Sequence, residues 1–92
     1  MSFSAIGNLI DPTQGEFVTF RYSILPGATL LKVYGLRGNP VKTLVDQDET
    51  GGIHTVTWDG RDDSGDVVAS GIYLTRFSGD QIKATGKVAV VK

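Results

Sequence analysis

The chain has 92 residues, nine basic and ten acidic side chains, and no cysteine. That length makes one domain with one modest core, burying somewhat over ~60% of its unfolded surface, and leaves no disulfide framework or thiolate metal site. The near-balanced charge offers no basic stripe for nucleic acid and no polybasic run for an anionic membrane, and no apolar run approaches the ~18 residues of a spanning helix.

The opening MSFSAIGNLIDP has no positive start and no long apolar core, so it is not a signal peptide. Its Met-Ser reads as an added start, with any targeting signal on a longer parent. SFSAIGNLI reads as the first strand. EFVTFRYSI (16–24) alternates, with Val18, Phe20, Tyr22 and Ile24 on one face and Thr19, Arg21 and Ser23 on the other. Leu25-Pro26-Gly27 is expected to break that run, because proline cannot donate to a central ladder. ATLLKVYGL (28–36) follows, with Leu31 and Val33 opposed to Leu30, Lys32 and Tyr34.

Gly38-Asn39-Pro40 marks the next turn and VKTLVDQ (41–47) the next strand, with Lys42 suggesting an edge. In GGIHTVTW (51–58), His54, Val56 and Trp58 face one way and Thr55 and Thr57 the other. GIYLTRFSG (71–79) precedes a Gly79-Asp80 turn and the closing QIKATGKVAVVK. No window shows a 3.6-residue apolar period. About seven short strands in this length predict an all-β fold, an immunoglobulin- or fibronectin type III-like antiparallel β-sandwich. No repeat or linker interrupts it, so residues 1–92 are expected to form a single domain.

HTVTWDGRDDSGDVVASGIYL (54–74) holds the chemistry-bearing residues: the only histidine, the only tryptophan, and Asp59, Asp62, Asp63 and Asp66. Those four aspartates are weak candidates for calcium. Arg61 stands where the D-x-[DN]-x-[DN]-G pattern needs a ligand, and no glutamate closes it. Zinc lacks nitrogen and sulfur donors. Ser64 and Ser70 lie near His54 but in no nucleophile context. A histidine packed at the end of a sandwich, donating to a carbonyl, fits better. Gly79 and Gly86-Lys87 lack the spacing of a phosphate loop. The segment reads instead as a structural joint: a core Trp58, turns at Asp59-Gly60 and Asp63-Ser64-Gly65, then Gly71 leading into the Tyr73 strand. No enzyme activity, cofactor or metal is expected.

These motifs resemble the Ig-like domain of the flagellar hook-capping protein, the FlgD-type Ig-like domain. The resemblance spans roughly residues 8–92. It rests on Tyr22-Ser-Ile-Leu-Pro26, Val33-Tyr34 with Gly38 and Val41-Lys-Thr-Leu44, and Gly52-Ile-His-Thr-Val-Thr-Trp-Asp-Gly-Arg-Asp62. Gly65, Val68-Ala-Ser-Gly-Ile-Tyr73 and Lys87-Val-Ala-Val-Val-Lys92 complete it. Departures cluster at one turn: Gly35 stands where the family usually has aspartate, and Asn39-Pro40 where it usually has arginine. Thr29 replaces a typical valine, and Asp11-Pro12 only faintly echoes the family's opening Asn-Pro.

The resemblance implies a non-catalytic accessory module, C-terminal in a larger secreted bacterial protein, serving sorting, cell-surface attachment or domain presentation. It would be extracellular or at the cell surface, with neighbouring domains and secretion or cell-envelope components as partners, and monomeric in isolation. The match running to the terminal lysine suggests the native C-terminus. Two alternatives remain. A flagellar hook-cap assembly domain would self-associate and touch hook subunits. A carbohydrate-binding module would need exposed aromatic platforms, for which Phe17 and Tyr34 fall on outer faces. Lys83, Lys87 and Lys92 are read as solvation and edge protection.

Overall fold

A computed structural model describes all residues, Met1–Lys92. The elements are β1 (Ser2–Ile6), β2 (Leu9–Ile10), a 3₁₀ turn (Pro12–Gln14), β3 (Val18–Gly35), β4 (Pro40–Glu49), β5 (Gly52–Trp58), β6 (Gly71–Asp80) and β7 (Ile82–Val90). The long strand β3 belongs to two sheets. Its first half pairs with β1 and β5, and its second half with β4 and β6. The second sheet continues through β7 to β2. The chain is all-β, as the alternating segments predict.

The alternation in β3 sets the core. Val18, Phe20, Tyr22 and Ile24 are buried, as are Leu31 and Val33 beyond the bend, whereas Arg21 is exposed. Strand geometry sends successive side chains to opposite faces, so one polypeptide supplies the inner surface of both sheets. Phe3 from β1 completes an aromatic stack, 4.7 Å from Phe77 and 5.7 Å from Phe20 between ring centroids, and Tyr22 lies 4.8 Å from Phe77. Offset aromatic pairs of this kind contribute roughly 0.5–1.5 kcal/mol each beyond their buried area.

Four expectations are corrected. Pro26-Gly27 does not end a strand. Pairing with β5 stops at Ile24–Gly52, pairing with β4 starts at Gly27–Glu49, and pairing with β6 skips from Leu25 to Leu30. Pro26 therefore falls where the ladder is interrupted on both sides, and its missing N–H goes unneeded.

The first expected strand is also two. β1 pairs with β3, then Gly7-Asn8 carries the chain to the other sheet, where β2 lies beside β7. One split and one merger leave the count at seven.

Finally, the sandwich is not wholly antiparallel. β2 and β7 run parallel, Leu9 opposite Ala89 and Ile10 opposite Val90. The β6–β7 turn also falls one residue later than Gly79-Asp80, at Gln81, which adopts a positive φ of 61°.

Candidate functional site

The acidic segment leaves β5 at Trp58 and returns to the sheet at Gly71. Trp58 is buried at 1% exposure, and its indole N–H donates to the Arg61 carbonyl at 2.8 Å. Its ring meets Tyr73 edge-on, with centroids 5.6 Å apart. The Tyr73 hydroxyl donates to the Ala69 carbonyl at 2.7 Å, and burial raises its pKa. A tryptophan on β5 and a tyrosine on β6 thus each hold one limb of the excursion through a single hydrogen bond.

Between these limbs the backbone forms a small hairpin. Arg61 and Val67 bridge, the Asp62 N–H donates to the Asp66 carbonyl at 2.9 Å, and the Gly65 N–H to the Asp62 carbonyl at 3.0 Å. Gly60 has φ 77°, and a Cβ there would collide with the Pro12 ring. Glycine at 60 is required on both counts, since left-handed backbone and zero side-chain volume coincide. Gly65, at φ 87°, faces open space. Gly71 opens β6 opposite Val90.

The four aspartates do not converge. Asp62 Oδ1 accepts the Ser64 and Asp66 N–H groups, both at 3.0 Å. Asp63 Oδ1 accepts the Thr43 N–H at 3.2 Å and lies 3.9 Å from Lys42 Nζ. Asp59 Oδ1 accepts the Arg61 N–H at 3.2 Å. No three His, Asp or Glu side chains group as metal ligands. These carboxylates serve backbone donors, as aspartates in turns do.

Neither serine meets the histidine. Ser70 Oγ accepts the Lys92 N–H at 3.0 Å, while His54 Nε2 lies 2.8 Å from the Thr50 carbonyl. A carbonyl only accepts, so Nε2 carries the proton. Gly79 and Gly86-Lys87 lie within β6 and β7, in a ladder rather than a loop.

A further cluster joins residues that the sequence leaves apart. The Tyr22 hydroxyl donates to Glu49 Oε1 at 2.5 Å, and His54 Nδ1 lies 3.8 Å from Glu49 Oε2. Tyr22 and His54 rings stack at 5.5 Å. Burial first, then the Glu49 hydrogen bond and charge, hold the Tyr22 phenol well above its ordinary pKa. No local spacing signals this contact, because Glu49 reaches Tyr22 only through pairing of β3 with its neighbours.

The turn after β3 explains two family departures together. A Cβ at Gly35 would stand 2.5 Å from Asn39 Oδ1 and 2.8 Å from Nδ2. The Asn39 amide fills the space of a side chain at 35, and the Gly35 N–H donates to the Asn39 carbonyl at 2.9 Å.

Comparison with known proteins gives a family match over residues 7–83, to the FlgD Ig-like domain. The chain belongs to the FlgD Ig-like domain family. No curated protein matches it in sequence. Among solved structures, this FlgD Ig-like domain is similar to part of PorZ, an essential bacterial surface component of the type-IX secretion system of Porphyromonas gingivalis. The TM-score is 0.65 at 20% identity, over 99% of this chain and 12% of PorZ. At that identity the likeness shows a shared fold. The family match over residues 7–83 supports an accessory-module role.

Proposed function

We propose that this domain is a non-catalytic accessory module of a larger exported bacterial protein, sorting it or attaching it to the cell surface. The observation that carries this reading is the hydrogen bonding of the acidic hairpin. Asp59, Asp62 and Asp63 accept backbone N–H groups, Trp58 and Tyr73 donate to backbone carbonyls, and His54 is spent on Thr50. Its strongest polar groups maintain the loop's shape, which suits a module that presents a surface. Family membership and the likeness to part of a surface component of a secretion system support it.

The test is fractionation of a secreted reporter in the source cell, with residues 1–92 fused to its C-terminus. Movement of the reporter to the cell surface, only when the domain is present, is the expected result. Release into the medium, with or without the domain, would overturn sorting and attachment.

The family match favours a second reading, a hook-cap assembly domain. It predicts higher-order assembly and binding to hook subunits, measurable by analytical ultracentrifugation and pull-down with purified hook protein.

A further inference from the structure

On the outer face of the larger sheet four cations form no ion pair, and the carboxylate that the register sets on this face, Asp46, lies opposite Leu30 in the row that ends at Lys83. Pairing sets Lys32 opposite Arg76, and Arg76 opposite Thr85, in one row across β3, β6 and β7. The flanking rows set Leu74 between Tyr34 and Lys87, and Ser78 beside Lys83. Neighbouring strands lie ~4.8 Å apart and alternate residues along a strand ~6.6 Å apart. Arg76, Lys83 and Lys87 consequently surround the Thr85 position. The chain's ion pairs use Lys42, His54 and Arg61, and none uses Lys32, Arg76, Lys83 or Lys87.

Like charges directly opposite in a ladder are destabilising. Lys32 and Arg76 occupy such positions, with Asp46 one row away opposite Leu30 and Thr43 opposite Lys32 itself. Arg76 is instead steadied over the Tyr34 ring, 6.0 Å from its centroid. Two hollows of about 440 and 360 Å³ adjoin on this face, each bordered by Tyr34, Arg76 and Thr85. Together they make a shallow groove bordered by three cations, by the Ser78 and Thr85 hydroxyls, by Tyr34 and by apolar Leu30 and Leu74.

We infer that this groove binds an acidic polysaccharide. Cations spaced along the groove would meet carboxylates on successive sugars, the Thr85 hydroxyl would meet sugar hydroxyls, and the Tyr34 ring would hold Arg76 in place for that contact. Single-stranded nucleic acid fits less well, because successive bases need several aromatic platforms. Here one ring is present, and Arg76 covers it. The proposal is independent of the sorting reading, which stands or falls on reporter fractionation.

The experiment is affinity electrophoresis and calorimetry of the 92-residue chain with polygalacturonate at low salt. Dextran serves as the uncharged probe and oligo-dT as the nucleic acid. Polygalacturonate is expected to bind and dextran not to. The double variant Arg76→Gln/Lys87→Gln should weaken binding at least tenfold, and Tyr34→Ala at least threefold. Arg21→Gln and Lys42→Gln, which remove cations elsewhere, should leave it within twofold. Circular dichroism on each variant confirms that the fold persists. No binding to polygalacturonate, equal loss in the two control variants, or equally tight oligo-dT binding would overturn the inference.

Discussion

The Tyr22 hydroxyl donates to Glu49 across 27 residues of sequence, tying the first half of β3 to the end of β4. Both partners are inward-facing, and Glu49 keeps only 11% of its side chain exposed. Replacing Tyr22 with Phe leaves a sheltered carboxylate without its hydroxyl donor. Hydrogen bonds to charged groups contribute about 1.5–3 kcal/mol, and Tyr22→Phe should lose an amount in that range, measured by urea unfolding at pH 7.

The same phenol makes stability fall in alkali. Tyr22 and Tyr73 both have folded-state pKa values raised above the ordinary value of about 10. The folded protein thus holds protons that the unfolded chain releases. The contribution is fully present below about pH 10 and is lost as pH rises toward the folded values. The urea midpoint of the Tyr22→Phe variant should start lower and decline less steeply between pH 9.5 and 11.5. Parallel declines would contradict the assignment.

Trp58→Phe removes the donor to Arg61 and opens space beside Tyr73. The combined loss should be about 2–4 kcal/mol. For a domain of this size that lowers Tm by at least 8 °C, since each kcal/mol shifts Tm by about 4–8 °C. Far-UV circular dichroism is the readout, because the variant lacks the only tryptophan.

Two glycines separate strain from collision. Gly65→Ala carries only the left-handed backbone penalty of about 1 kcal/mol, since nothing lies within 4 Å of its Cβ. Gly60→Ala must also displace Pro12. Its Tm should fall further than that of Gly65→Ala, and equal shifts would show that the Pro12 contact yields freely.

Gly35 and Asn39 should behave as a coupled pair. Gly35→Asp alone forces the Asn39 amide out of the space it fills. A second change, Asn39→Arg, takes the amide out of that space. A double-mutant cycle is expected to show a favourable interaction of at least ~0.5 kcal/mol, whereas strict additivity would indicate that the two positions do not share that space.

How far the sequence foretells this structure depends on the range of the interaction. Val18, Phe20, Tyr22, Leu31 and Val33 are placed correctly because side-chain alternation is a property of a single strand. Within the acidic hairpin, Asp62 acts on residues two and four positions away, so its turn chemistry is readable locally. Its anchorage is not: Asp63 bonds to Thr43, 20 residues distant.

Proline misleads at 26 because the rule against central-strand proline assumes a continuous ladder on both sides. Here β4 and β5 turn opposite it, and β6 skips past. The parallel pairing of β2 escapes detection because two residues carry no periodicity. The cationic row escapes because Lys32 and Arg76 lie on separate strands, and only their register brings them together.

The parallel β2–β7 pair determines how the fold answers mechanical load. Its Ala89 N–H donates to the Asn8 carbonyl at 2.8 Å, and the Val91 N–H to the Ile10 carbonyl at 3.0 Å. Tension entering ahead of β1 and leaving beyond β7 would drag these two strands past each other in opposite directions. Both bonds would then stretch at once, as in a lap joint, instead of peeling open in sequence. Such a load meets the β1–β3 pairing first and this joint next, so the two ends of the chain are gripped by different sheets.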